Sequence, residues 1–142
     1  LDWFDEHEIE HFTSKLYVGD YMNLDNPRVV VDRKHNLNEI ANNLCQDHQR
    51  FAKELIRAKK AGVHVIILIE HGRGIRSIDD VVLWENPRLK VSKMAITGER
   101  LARIMWAMQD NKDKYDVEFL FCEPEETAFC ITELLKTELR LG

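Results

Sequence analysis

Residues 63–70, Val63-His64-Val65-Ile66-Ile67-Leu68-Ile69-Glu70, form a nearly unbroken apolar run, and their reading decides the architecture. A run this short, rich in β-branched side chains and stopped before Gly72, suits a strand at the centre of a sheet covered on both faces. Upstream, residues 13–20 alternate Leu16 and Val18 against Lys15 and Tyr17, a strand pattern. Asp25-Asn26-Pro27 is turn chemistry, and residues 28–34 open with Val29-Val30-Val31, a second strand. Between these strands and the central run lie two helices. The first is capped by Asn36 with Glu39 as its box partner and runs through Leu44. The second covers residues 47–61, buries Phe51, Ala52, Leu55 and Ile56, and stops at Gly62.

Downstream, a short helix is expected at residues 78–84, followed by a basic loop to Lys93. Thr97 then caps a helix whose Leu101, Ile104, Met105 and Met108 fall on one face. Residues 117–122 read as a buried strand. Residues 125–139 read as a closing helix with Ala128, Ile131, Leu134, Leu135 and Leu139 inward, and residues 2–11 as a short helix at the start. A hairpin followed by alternating helices and strands predicts an α/β fold with a central mixed β-sheet flanked by helices.

The chain has 142 residues, 44% hydrophobic and 32% charged. That composition excludes disorder, and without repeats or Gly/Pro-rich linkers it predicts one domain over residues 1–142. The apolar run at 65–69 falls far short of the roughly 20 residues a membrane helix requires. Cys45, Cys122 and Cys130 are too few for a disulfide framework, and Asp2, Asp5 and Glu6 stand where a signal peptide would be basic. An intracellular location is the expectation. The net charge of -5 conceals a basic middle, net +6 over residues 27–103, between acidic flanks. An acidic total argues against a general nucleic-acid coat, while the basic middle can face phosphate locally.

His7-Glu8-Ile9-Glu10-His11 matches the H-E-x-x-H zinc-peptidase spacing. It lacks a third ligand and a long supporting helix, and reads better as a solvated acidic face. Gly72-Arg73-Gly74 completes neither nucleotide-binding fingerprint and reads as a plain turn. The hairpin carries more. With its turn centred on Asn26, residues 20 and 32 face each other, so Asp20 and Asp32 meet across the ribbon and Lys34 projects on the same side. Two carboxylates and an ammonium so placed can hold Mg²⁺ or Mn²⁺ and a water for attack on phosphorus. Spacing alone is equally served by a surface charge cluster.

Gly19-Asp20, followed by Val29-Val30-Val31-Asp32-Arg33-Lys34, resembles the G-D…E-R-K-x3-D signature of the XPF-type structure-specific endonucleases. These form a branch of the restriction-endonuclease-like PD-(D/E)XK superfamily. Arg50 and Phe51, the strand ending in Glu70, the 97–100 helix start and the 117–122 strand also suit that core. The resemblance implies a restriction-endonuclease-like fold and a Mg²⁺- or Mn²⁺-dependent endonuclease that cuts branched, flap or junction DNA in repair or recombination. It implies Asp20 and Asp32 as metal ligands, and Arg33 and Lys34 as further catalytic residues, although strand alternation points Arg33 to the opposite face. Asp32 stands where the family usually has Glu, and Asn38 where the signature's last Asp would be. A first strand bearing another acid and a helix-hairpin-helix module are expected to be missing, and a homodimer is expected by family precedent. The alternative is an inactive nuclease fold used to bind DNA or to scaffold.

An independent hint of DNA contact comes from Arg50, Lys53, Arg57 and Lys60. They fall within one arc of the 47–61 helix, opposite part of its apolar face. A basic stripe can track a phosphate backbone, or be ordinary solvated surface. Arg73, Arg76, Arg88, Lys90 and Lys93 can extend it. No aromatic side chains interleave these cations, which favours reading of phosphate and shape.

Overall fold

The computed structural model describes residues 20–23 and 26–141, and among them the side chains of 21, 22 and 28–135. The helix expected at 2–11, with its His7 and His11 motif, lies outside the described residues, as does most of the strand expected at 13–20.

Among the described residues four strands form one sheet in the order β1-β2-β3-β4. β1 is Asp20–Asn23, β2 Asn26–Lys34, β3 His64–Ile69 and β4 Val117–Phe121. β1 is antiparallel to β2, while β2, β3 and β4 run parallel, so the sheet is mixed. Among the described residues five α-helices flank it: α1 Leu37–Cys45, α2 His48–Lys60, α3 Ile78–Val81, α4 Gly98–Asp110 and α5 Thr127–Leu141. This is an α/β sheet with helical layers, compatible with the restriction-endonuclease-like fold.

Because side chains alternate along a strand, the sheet has two distinct faces. Val30, Ile67, Ile69 and Phe119 point into a large core closed by α1, α2, α3 and α4. Val29, Val31, Ile66 and Leu68 point the other way, against Ile131, Leu134 and Leu135 of α5. β3 is therefore buried on both faces, which explains its lack of polar alternation. Ala128 of α5 is exposed rather than inward. The α5 layer is made by Ile131 and the half-buried Leu134 and Leu135, as expected, while the Leu139 side chain lies outside those described. A 3₁₀ turn at Pro124–Glu126 starts the helix at Thr127, whose side chain is buried where Ala128 was expected.

Local chemistry sets the helix ends. The Asn36 side chain accepts from Glu39 N–H at 3.0 Å. The Glu39 carboxylate reaches back to His35 N–H, also at 3.0 Å, one residue beyond the expected Asn36. Gly62 follows α2 with φ 75, a left-handed conformation that disfavours any other residue. Gly72-Arg73-Gly74 makes a tight turn, with Ile75 N–H donating to Gly72 C=O at 3.1 Å, so it is a turn and not a phosphate loop.

Candidate active site

The site is built at the carboxyl end of β2. The register pairs Asp20 with Asp32, Tyr21 with Val31 and Met22 with Val30, the facing expected, although Asn26 and Pro27 lie in β2 and not at the centre of the turn. A register shift then follows, and Asn23 faces Asn26. Position 32 shares its strand parity with Val30 and Lys34, so Asp32 and Lys34 lie on the α1/α2 side of the sheet. The Lys34 ammonium sits 3.4 Å from the Asp32 carboxylate. Lys34 is buried at 9% exposure and the Asp32 side chain keeps 21%, so the pair is half withdrawn from water yet reachable from it.

Arg33 goes elsewhere. Strand alternation sends it to the α5 face, where its guanidinium pairs with the buried Glu70 carboxylate. Hydrogen bonds to Tyr21 and to Glu70 raise its pKa. The second Glu70 oxygen accepts from the Thr127 hydroxyl at 2.7 Å, which ties the start of α5 to the end of β3. Glu70 N–H donates to Lys34 C=O at 2.8 Å. Arg33 and Lys34 thus share a strand end but serve opposite faces. No local sequence pattern announces this clamp, since its partners lie 37 and 57 residues apart.

Two clefts lie past and beyond the carboxyl end of β2, neither of them lined by Asp32 or Lys34. One, of about 570 Å³, lies past the ends of β2 and β3 and includes His35, Glu70, His71 and Arg73. His71 accepts Leu37 N–H on Nδ1 at 3.1 Å, which requires an unprotonated Nδ1. Burial, and next the charge of Arg73, lower its pKa. The other cleft, of about 610 Å³, lies over α1 and α4. Asn38 lines both. It is an exposed residue, so the last signature position opens on the clefts.

On α2, Arg50, Lys53 and Lys60 are exposed and Arg57 is half-buried, while Phe51, Ala52, Leu55 and Ala58 face the core. The basic stripe therefore exists, on a helix that covers the same sheet face as Asp32 and Lys34. Of the loop cations, Arg76 is 3.7 Å from Glu123 and Arg88 lines the larger cleft.

Residues 1–80, more than half of the chain, match the family model of the ERCC4 domain. The chain belongs to the ERCC4-domain family. No curated protein and no solved structure matches it. ERCC4 domains are nuclease domains that act on DNA, and the G-D and x-R-K elements, Asp20 and Asp32 to Lys34, fall inside the matched span. Among the described residues no helix is long and apolar enough to cross a membrane.

The family implies a divalent cation. Among the described residues, no three His, Cys, Asp or Glu side chains gather to hold one; the Asp20 side chain lies outside them. The donor chemistry suits a hard cation: Asp32 offers carboxylate oxygens, and the ladder sets a second aspartate position opposite it.

Proposed function

We propose that this domain is a Mg²⁺- or Mn²⁺-dependent endodeoxyribonuclease that hydrolyses phosphodiester bonds in branched, flap or junction DNA. The observation that carries this reading is the facing of positions 20 and 32 across the β1–β2 ladder, with the Lys34 ammonium 3.4 Å from Asp32. Asp20 and Asp32 would hold the cation, which when bound supplies Lewis acidity toward the phosphoryl group.

The chain's own residues do the rest. Lys34 is held in a buried setting by its strand and by Asp32, so its N–H groups are oriented before substrate arrives. An ammonium so placed stabilises negative charge growing on the phosphoryl oxygens and can orient an attacking water. Arg33 acts through position: clamped to Glu70, it fixes the β2 end from the opposite face and keeps Asp32 and Lys34 in register. The α2 stripe of Arg50, Lys53, Arg57 and Lys60 adds sequence-independent attraction for phosphate.

The homodimer belongs to the same proposal. Val82 and Leu83, just after α3, and Trp106 of α4 are exposed apolar side chains, a surface a second copy would cover; the solution mass of the full chain tests it.

A cleavage panel of duplex, flap, fork and four-way junction with Mg²⁺ or Mn²⁺ tests the function. Branched substrates are expected to be cut and plain duplex spared. A chain that binds these substrates but cuts none of them with either metal is the scaffold alternative, favoured by Asn38 in place of an acid.

A further inference from the structure

The larger cleft differs from the rest of this acidic chain in its charge. Its wall comprises Asn38 and Asn42 of α1, His48 at the start of α2, Arg88 and Met94 of the 86–96 loop and Arg100 of α4, among others, and it includes no Asp or Glu. In a protein of net charge -5, a concavity without carboxylates favours an anionic occupant.

The cations are available. Among the described residues neither the Arg88 nor the Arg100 guanidinium pairs with a carboxylate. The charge of Arg100 reaches Cys45 across the cleft. His48 Nδ1 contacts Leu44 C=O at 3.1 Å. A carbonyl only accepts, so Nδ1 carries the proton and Nε2 is left for other partners.

The apolar side matters equally. Met94 is 93% exposed, so its thioether is open to pack against a ligand, and Ile96 and Ile104 continue that wall. Cations beside a flexible apolar platform match a nucleotide, which joins a phosphate to a flat base. At about 610 Å³ the cleft has the size of a site for one small molecule, and a double helix cannot enter it.

The cleft also shares Asn38 with the neighbouring cleft at the ends of β2 and β3. α1 begins three residues after Lys34, and its Asn38 and Asn42, with Gln46 just past its end, repeat every four residues along one side of the groove. That stripe spans about 12 Å. It starts at Asn38, where the cleft meets its neighbour at the strand ends.

We propose that this cleft is a subsite for an unpaired nucleotide of the DNA strand leading away from the cleaved bond, with phosphate on Arg88 and Arg100 and base or sugar against Met94. The inference rests on the nuclease reading for its choice of DNA. The signature's Asp-to-Asn difference at position 38 then removes a charge that would repel the strand where the two clefts join.

The test is binding of a short labelled oligothymidylate to the full chain in EDTA, across a salt series, for the wild type and an Arg88→Gln/Arg100→Gln variant. Losing two phosphate contacts should weaken binding roughly tenfold or more and flatten the single-strand salt slope by about 1.4. In the wild type, the Met94 methyl NMR signal should move as the oligonucleotide is added, while those of the buried Met105 and Met108 stay. An unchanged salt slope, or a stationary Met94 signal with DNA bound, overturns the proposal. So does thymidine monophosphate that displaces the oligonucleotide at equal concentration, because that outcome assigns the cleft to free nucleotides. Cleavage by the same wild-type preparation separates the two claims. Cutting with unchanged pocket-variant binding removes the subsite only, whereas no cutting with weakened variant binding removes the nuclease reading only.

Discussion

Replacing Lys34 with Met removes one charge and keeps most of the side-chain volume. At 3.4 Å and an effective dielectric of about 20, the gross attraction between Lys34 and Asp32 is about 5 kcal/mol. Both groups gave up hydration, Lys34 to a buried position and Asp32 to a half-buried one, so the net contribution is a small part of that figure. Because Asp32 keeps 21% exposure, water can solvate it once the ammonium is gone, and the expected loss of stability is about 1–2 kcal/mol. The loss of catalysis should be larger. A preorganised donor facing charge that develops only in the transition state contributes about 10²–10³ in rate. Single-turnover cleavage of a fork or flap should fall by roughly that factor, with DNA affinity within a few-fold and a cooperative melt to certify folding. A folded K34M protein that cleaves as fast as wild type would refute the reasoning, because no role in the chemistry would remain for the ammonium.

Three other perturbations test separate parts of the account. His64 bridges Asp116 at 2.7 Å and Glu118 at 2.9 Å and titrates at about 9. Its stabilisation is fully present below about 6.5, the ordinary imidazole value, and is lost as pH rises through about 9. Both acids are at least 37% exposed, so solvent screening holds the effect to about 1 kcal/mol. Wild type should exceed His64→Gln by that much at pH 6 in chemical denaturation and lose the margin near pH 10; a pH-independent difference would dismiss the bridge. Arg33→Gln strands the buried Glu70 carboxylate and should cost about 2–3 kcal/mol of stability, while cleavage per folded molecule stays within several-fold. A thousandfold cleavage loss in a stable R33Q protein would move Arg33 into the chemistry. Gly98→Ala forces a methyl group against the carbonyl oxygens of Val81 and Trp84, and because backbone cannot swing away it should destabilise by about 1–3 kcal/mol; an unchanged melting temperature would contradict that packing.

The features legible in sequence were those set by short-range periodicity. The facing of positions 20 and 32 is one. It survives the register shift between Met22 and Asn23 because strand register is pinned by which face must be buried and not only by the turn. The Asn36 cap and the apolar β3 were legible for the same local reasons. Ala128 departs from the apolar periodicity because the neighbouring Thr127 is buried, with its hydroxyl on Glu70, a long-range contact that periodicity does not register. The Arg33–Glu70–Thr127 clamp could not be read, since strand alternation says that Arg33 turns away but not what it meets. Nor could the acid-free cleft, whose Asn42, Arg88 and Arg100 come from three separate segments. Its one sequence trace is the four-residue spacing of Asn38, Asn42 and Gln46.

The central claim is that positions 20 and 32 jointly hold a hard cation beside Lys34. Titration of Mn²⁺ into the wild type, Asp20→Asn and Asp32→Asn proteins, followed by the loss of the free-ion EPR signal, tests it most directly. The account predicts saturable binding by the wild type that either substitution weakens by at least an order of magnitude. Equal Mn²⁺ uptake by all three proteins would contradict it.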